Sequence, residues 1–444
     1  MTRACAPPFR WGHPAEKSWS VVPHMAPLGQ CTDKTESNAP EKTRPMTLTD
    51  CLSENYGKCC RTVLRVLPAL IIIVVFLAAA PARAEGENRL SIVSWAPTAG
   101  PEVLWHDALG GLKTAAGLFN AHGGLGGRPL GVVELRLDEN SPGFLPALEE
   151  ALSKPGVLGL TGGPARGRAG ATADHLRRLN RVWFGPWSDE RELYRGEDSD
   201  PFAVLPPWTE EIPALLGYVR AAYQADPAGS GPVYLVYYDD PTHQAMAAEA
   251  RRTAAEMGLE LKRAPIGHDF AAWDYLAGYI REAGAVLVWL NPGASAALVK
   301  AAKAGRPEAI YLTNSVNATN RNLVVISGGA WNGVIFPAVL SPSRDISTAY
   351  EGILRKYGPV GLDGSYQAFL GFAQGQILAR ATSLGLGRNQ MNLSRNLYDM
   401  KGFPSLLSAP VDYAPGRHVN RGAFYLGRGY GNGYWEAAPA PGLK

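Results

Sequence analysis

Cysteine is missing from most of this 444-residue chain, because its five cysteines all precede Ala84. Beyond that residue there is no thiol for a disulfide or for a thiolate metal site. Burial of apolar side chains must therefore stabilise the fold. The 360 residues after Ala84 are enough for two ordinary domains.

A surplus of charge of either sign is also missing from this larger part. The first 84 residues hold 10 of the 43 basic and 6 of the 40 acidic residues, which leaves the remainder with a formal net charge of −1. The densest basic run lies between Arg166 and Arg181 and fits one solvated helix face. This balance gives no electrostatic basis for binding nucleic acid or an acidic membrane surface.

The common catalytic motifs are lacking. Neither GxSxG nor HExxH occurs, and the 8 histidines are scattered. Gly162–Ala169 has the glycine spacing of a phosphate loop, but Arg168 and Ala169 replace its lysine and hydroxyl residue. The glycine run 123–127 follows a helical pattern, whereas a dinucleotide fingerprint follows a strand. These absences favour binding over catalysis and predict neither a cofactor nor a metal.

One long apolar run is present, from Val66 to Ala80. Arg61 and Arg65 precede it, and the small-residue pattern 82–84 follows it, which predicts a signal peptide cleaved after Ala84. Met46 is an alternative start of translation. Retention of residues 63–80 as an uncleaved anchor is the alternative to cleavage.

Strands and helices alternate along the rest of the chain, which predicts an α/β fold with two parallel sheets in succession. Glycines 123 and 124 end the first helix, since glycine adopts the left-handed conformation common there. The first series has strands Leu90–Trp95, Val132–Leu137, Val157–Leu160 and Val182–Phe184, with helices around 104–122, 143–153 and 168–180. The second has strands Val233–Tyr238, Leu259–Ala264, Ala285–Trp289 and Ala309–Leu312, with helices near 210–224, 242–257, 271–283 and 294–304. A strand at Gly333–Phe336 and helices around 344–357 and 365–385 follow, and these helices are predicted to return to the first sheet.

Several motifs occur in an order that resembles a known family. They include Asn120–Gly127, where a helix ends in Asn-Ala-x-Gly-Gly-x-x-Gly, the strand and acidic turn Val233–Asp240, and the tail Val411–Leu426. The chain resembles the class I periplasmic binding proteins of the branched-chain amino-acid (Leu/Ile/Val) type, the solute receptors of ABC importers, over residues 88–436. The resemblance implies two Rossmann-like lobes joined by three crossover strands, near 204–207, 332–340 and 411–418, with a ligand cleft between the lobes.

The resemblance also implies a domain organisation and partners. Residues 1–84 are the leader, residues 85–205 and 337–410 form the N-terminal lobe, and residues 206–336 and 411–444 form the C-terminal lobe. The expected protein is a periplasmic monomer that binds a small molecule and delivers it to an inner-membrane ABC permease. A sensory module that signals to a membrane partner without transport is the alternative, and a periplasmic enzyme is a third hypothesis.

Candidate ligand positions follow from the same resemblance: Trp105, Arg166, Gly167, Trp187, Ser188, Asp189, His243, Asn291, Asn314, Ser315 and Tyr366. Two departures stand out. The serine-rich turn that holds a ligand carboxylate is replaced by Gly163–Arg168, and the acid that pairs with a ligand ammonium falls at Ser315. A neutral hydroxyl cannot supply that charge, so we expect a less zwitterionic, aromatic or apolar ligand. For each position, packing, helix capping or solvent exposure is the alternative interpretation.

Overall fold

The computed structural model describes residues 89–96, 102–138, 141–163, 168–188, 193, 201–318, 321–362, 364–385, 393–418, 420 and 424–439. The leader 1–84 and its cleavage site lie outside the described residues. Two β-sheets with helices between their strands make up the described part of the chain. The α/β class predicted from the alternating pattern is confirmed.

The first sheet is parallel and has the strand order β2-β1-β3-β4-β5. Its strands are β1 (Leu90–Ala96), β2 (Leu130–Arg136), β3 (Val157–Thr161), β4 (Val182–Phe184) and β5 (Pro201–Phe202). The helices between them are α1 (Glu102–Ala121), α2 (Phe144–Leu152) and α3 (Ala169–Arg178). The first four strands fall within two or three residues of the predicted ones. The fifth was not predicted, since two residues are too few for a period to be recognised.

The second sheet has the order β12-β11-β10-β9-β8-β6-β7 and is parallel from β10 to β7. Its strands in chain order are β6 (Val233–Tyr238), β7 (Leu261–Ile266), β8 (Ala285–Trp289), β9 (Ile310–Thr313), β10 (Ile335–Ala338), β11 (Tyr425–Tyr430) and β12 (Tyr434–Ala437). The helices here are α4 (Trp208–Ala225), α5 (Pro241–Glu256), α6 (Trp273–Tyr279), α7 (Pro292–Gly305) and α8 (Arg321–Ile326). Strands β6 and β8 are buried throughout, as expected for central strands covered on both faces.

Two parts of the second sheet differ from the prediction. Strands β11 and β12 form an antiparallel hairpin against β10, whereas the sequence pattern indicated only parallel pairing. Helix α6 ends at Tyr279, although the pattern extended it to 283. Beyond the helix, the Gly284 amide donates to the Pro232 carbonyl at 3.1 Å, so this part of the chain lies against the segment before β6.

The last long helices return to the first sheet, as predicted. Helix α9 (Ser343–Tyr357) and helix α10 (Tyr366–Gly385) pack with α1, and the short helix α11 (Leu393–Tyr398) follows. Helices α1 and α10 cross with their backbones in contact: a Cβ on Gly371 would lie 1.9 Å from the carbonyl oxygen of Ala108. Helix α10 is therefore part of the core of the first lobe.

The three connections between the lobes lie side by side. The Tyr413 hydroxyl donates to the Ala203 carbonyl at 3.1 Å, and the Ser408 amide donates to the Val339 carbonyl at 2.7 Å. Only the middle connection contains a regular strand, β10; the described residues of 204–207 and 411–418 form no named strand. Hydrogen bonds between neighbouring connections thus replace the strand pairing expected there.

Candidate functional site

The described candidate residues other than Tyr366 follow or lie near the carboxyl ends of parallel strands. In the first lobe, Trp187 and Ser188 follow β4, and Trp105 lies in the first turn of α1. In the second lobe, His243 follows β6, Asn291 follows β8, and Asn314 and Ser315 follow β9. Small molecules bind outside this edge in open α/β sheets. The candidates Arg166, Gly167 and Asp189 lie outside the described residues.

Two of the candidate residues, both tryptophans, pack against each other in the first lobe. The rings of Trp105 and Trp187 stack, with centroids 4.3 Å apart and planes inclined by 30°. Each is only 7% exposed. The Trp187 amide donates to the Gly163 carbonyl at 3.0 Å, which fixes the turn after β4 against the turn after β3. The two tryptophans are therefore packed against each other and are not free surface side chains.

A cluster of polar rings surrounds Asp240 in the second lobe. Asp240 caps α5 by accepting a hydrogen bond from the His243 amide, and its Oδ2 lies 2.7 Å from His243 Nδ1. His268, which follows β7, brings its Nε2 to 3.3 Å from the same oxygen and stacks on Tyr238 at 4.3 Å. Burial by itself raises the pKa of Asp240, but the hydrogen bonds from His243 outweigh it and the pKa lies below its usual value.

His268 was not among the candidates derived from the sequence. The signal that points to it is its position just past the carboxyl end of β7, next to β6 in the sheet. Asp240 remains ionised at neutral pH, since its pKa is lowered, and it orients both imidazoles. His243 can therefore present its second ring nitrogen away from Asp240.

The two candidate asparagines cap local structure. Asn291 Oδ1 accepts from the Ala294 amide at 2.9 Å and starts α7, and Asn314 Oδ1 accepts from the Asn317 amide at 3.2 Å. Asn317, buried beside them, donates to the Leu290 carbonyl at 2.7 Å. The turns after β8 and β9 are thus held in one arrangement by side-chain amides.

Ser315 has a partner that the sequence did not reveal. Its hydroxyl donates to the carboxylate of Glu211, and its amide nitrogen lies 3.3 Å from Glu211 Oε2. Glu211 is fully buried in the first turn of α4, among apolar residues of the same helix. A carboxylate therefore does lie next to Ser315, but both the hydroxyl and the amide of Ser315 are engaged with it.

Tyr366 lies in the core. It is fully buried, accepts a hydrogen bond from the Val339 amide at 2.8 Å, and packs edge-on against Trp435 at 4.9 Å. Burial raises the pKa of its phenol, so the hydroxyl stays protonated and free to donate as well. In this structure Tyr366 joins the start of α10 to the middle connection.

A family model described as periplasmic binding protein matches residues 98–433, which is most of the chain. The chain belongs to the periplasmic binding protein family. Members of the family include substrate-binding proteins of ABC transporters, and the resemblance stated from the sequence motifs is confirmed. A search of curated proteins found no match.

Solved structures of such proteins share the fold. One is a branched-chain amino-acid ABC transporter protein from Thermus thermophilus with bound valine, with a TM-score of 0.67 and 18% identity over 80% of this chain and 97% of that one. A fatty-acid ABC transporter substrate-binding protein from Thermomonospora curvata has a TM-score of 0.64 and 12% identity over 80% and 92%. A solute-binding protein from R. palustris in complex with 4-hydroxybenzoate has a TM-score of 0.63 and 15% identity over 79% and 95%.

Metal binding and membrane crossing can be judged for the described residues alone. No three side chains of His, Cys, Asp or Glu there come together as a metal site would require. None of the helices there combines the length and the apolar character needed to cross a membrane.

Proposed function

We propose that this protein is a solute receptor that captures a small molecule between its two lobes and delivers it, unmodified, to an ABC permease in the inner membrane. Family membership and the shared fold support this. The observation that carries it is the set of candidate residues past the strand ends of both sheets, Trp105 and Trp187 in one lobe and His243 in the other. Ligand binding would shift the population from the open to the closed form, which the permease recognises. The lobe boundaries given above, periplasmic location and a monomeric state belong to the same proposal.

The ligand we propose is an aromatic or otherwise apolar acid. The stacked tryptophans offer apolar surface, and the neutral Ser315 replaces an acid that would pair with an ammonium group. The carboxylate of Glu211 is already hydrogen-bonded by Ser315. Two proteins of the same fold are a fatty-acid ABC transporter substrate-binding protein and a solute-binding protein in complex with 4-hydroxybenzoate; both ligands are acids without an ammonium group.

Thermal-shift and calorimetric titration of the purified protein, expressed as the full chain, test this proposal. The probes are 4-hydroxybenzoate, octanoate and valine. We expect one of the acids to raise the melting temperature, because a ligand at 100 times its Kd stabilises the folded state by about 2.7 kcal/mol. We expect valine not to bind and therefore to leave the melting temperature unchanged. Tight binding of valine, with no response to either acid, would contradict the proposed ligand class.

A second candidate ligand class is the amino acids, and Glu211 is the observation in its favour. The Glu211 carboxylate beside Ser315 could pair with a ligand ammonium group if the ligand displaced the hydrogen bonds from Ser315. However, Glu211 is fully buried and already accepts two hydrogen bonds from Ser315. These contacts favour a structural role, in which Glu211 positions Ser315.

Glu211→Gln separates the two classes. We expect it to destabilise the protein by about 2 kcal/mol, since hydrogen bonds to a charged acceptor are weakened, and to leave the affinity for 4-hydroxybenzoate unchanged. Urea unfolding and calorimetry measure the two effects. Glu210→Gln, an exposed acid in the same helical turn, is the matched control. A wild-type protein that binds valine and a variant that does not would instead establish the amino-acid class.

A further inference from the structure

Two basic side chains, Lys303 and Arg428, converge on Gly333 in the second lobe. Lys303 lies in the last turn of α7, Arg428 lies in β11, and Gly333 lies two residues before β10. A Cβ placed on Gly333 would lie 3.7 Å from both Nε and Nη2 of Arg428 and 3.9 Å from Lys303 Nζ. The φ of Gly333 is +82°, a conformation that favours glycine, so no side chain fills the space in front of the two cations.

The guanidinium group of Arg428 presents its open edge to this space. Its Nε and Nη2 are equally near the Cβ position of Gly333, and both are nearer to it than the carbon that joins them. These two N–H groups form the fork with which arginine binds two oxygens of one oxyanion. Arg428 is exposed, so an anion can reach the fork from solvent.

The ammonium group of Lys303 is held beside this fork. Its Nζ donates to the Asn332 carbonyl at 2.6 Å and lies 5.2 Å from the centroid of the Tyr311 ring. The turn that carries Asn332 is itself fixed, because the Gly333 amide donates to the Gly429 carbonyl at 2.6 Å. An ammonium group has three donors, so Lys303 can donate to a ligand as well.

The two cations lack a counter-charge. Neither forms an ion pair with a carboxylate of the described residues, and this includes Glu436, which is the register partner of Arg428 on β12. Burial and the charge of Arg428 lower the pKa of Lys303 to about 8 from its ordinary value of 10.5. Like charges that face one open space repel each other, and an anion bound between them would offset that repulsion.

This space lies at the amino ends of the parallel strands of the second sheet. Gly333 precedes β10, and Tyr311 is the second residue of β9. The candidate residues His243 and Ser315 follow the carboxyl ends of strands in the same sheet. An anion bound beside Gly333 would therefore not compete with a solute at the opposite edge.

We propose that Arg428 and Lys303 form a binding site for a phosphate group, in which the Arg428 fork donates to two phosphate oxygens and the Lys303 ammonium donates to the same anion. Phosphate carries close to two charges and more than two acceptor oxygens, which matches two cations with three donors better than a carboxylate does. The group is either inorganic phosphate or the headgroup phosphate of an anionic lipid, which present the same oxygens. The site does not depend on the proposed solute receptor.

Titration of the uniformly ¹⁵N-labelled full chain with sodium phosphate tests the site. We expect phosphate to shift the Nε–H resonance of Arg428, which is identified by its loss in Arg428→Lys. Sodium chloride of the same ionic strength should not shift it. The resonance of Arg252 is the control within each spectrum, because that side chain is already paired with Glu249 and Glu256.

Two variants remove the fork and the ammonium group separately. Arg428→Lys keeps the charge without the fork, and Lys303→Gln keeps a donor for Asn332 without the charge. We expect each to weaken phosphate binding, followed at the backbone amide of Gly333, about tenfold, since hydrogen bonds to a charged group are lost. Lys300→Gln, an exposed lysine one turn earlier in α7, is the matched control and should bind phosphate as the wild type does.

Vesicles of phosphatidylglycerol distinguish the two sources of phosphate. If the lipid headgroup is the ligand, more of the wild type than of Arg428→Lys sediments with the vesicles. If inorganic phosphate is the ligand, the two sediment equally and only the titration separates them. Resonances of Arg428 and Gly333 that phosphate moves no more than chloride does, together with equal sedimentation, would overturn the site.

The solute site is tested separately on the same proteins. We expect 4-hydroxybenzoate to bind Arg428→Lys and Lys303→Gln as it binds the wild type, because it binds at the other edge of the sheet. Loss of the phosphate site would thus leave the proposed function standing. A wild type that binds phosphate but neither 4-hydroxybenzoate nor octanoate would contradict the proposed ligand class and leave the phosphate site standing.

Discussion

Gly371→Ala is expected to destabilise the protein by about 3 kcal/mol or more, because the added methyl group has no space. Its Cβ would lie 1.9 Å from the carbonyl oxygen of Ala108 in the neighbouring helix. That oxygen belongs to the backbone of α1, so no side-chain rotation can relieve the overlap. Helices α1 and α10 must therefore move apart at this crossing.

Helix α1 also needs a glycine where it crosses α10. A Cβ on Gly111 would lie 1.8 Å from the Ala368 carbonyl oxygen, so each helix needs a glycine where it meets the other. Gly217→Ala in α4 is the matched control, since nothing lies within 4 Å of its Cβ position. There we expect a gain of up to about 1 kcal/mol, the difference in helix propensity.

Urea unfolding of Gly371→Ala, Gly217→Ala and the wild type measures both effects. A loss below about 1 kcal/mol for Gly371→Ala would show that the helices adjust without cost, contrary to the close packing described above.

Most of the fold could be predicted from the sequence because its signals are local. Buried strands such as β6 and β8 are short apolar runs bounded by turns, and α1 shows a helical period ended by two glycines. The hairpin β11–β12 lacks such a signal, since glycine and charge interrupt its alternation. Burial of Trp435 against Tyr366 holds it in place, and that contact joins residues far apart in the chain.

The candidate site was less predictable, for a related reason. The family resemblance pointed to Trp187 and His243 as candidates, but no resemblance or spacing pointed to the pairing of Glu211 with Ser315, which spans 104 residues. The packing of α4 against the turn after β9 creates it, and no spacing in the sequence reports such a contact. The charge near a candidate position therefore depends on residues that are distant in the chain. The sequence showed a neutral Ser315 but not the Glu211 carboxylate beside it.

His418 lies among the connections between the lobes. It stacks on Phe202 with centroids 4.5 Å apart, and Tyr398 donates its hydroxyl to His418 Nε2 at 2.5 Å. The ring is only 6% exposed, and its Nδ1 has no hydrogen-bond partner among the described residues. An ion pair between Arg417 and Asp412, at 2.7 Å, adjoins it in the chain.

Acid should therefore weaken the joined connections through this histidine. Burial lowers the pKa of His418 to about 4 from its ordinary value of 6.5, so the folded state favours the neutral ring. Well above pH 6.5 the His418 ring is neutral in both the folded and the unfolded state, so its protonation does not change the free energy of unfolding. As the pH falls from 6.5 to 4 the unfolded chain takes up a proton that the folded chain does not, and stability drops by about 3 kcal/mol.

Urea unfolding at pH 7.5, 5.5 and 4.0 checks this, with His418→Phe as the variant. Phenylalanine keeps the stack on Phe202 but cannot accept from Tyr398, so we expect it to cost about 1 kcal/mol at pH 7.5. At pH 4.0 it should be more stable than the wild type, because it has no ring to protonate. His122→Gln, at an exposed helix end, controls for removal of a histidine as such. Parallel profiles of stability against pH for wild type and His418→Phe would show that His418 does not titrate in this range.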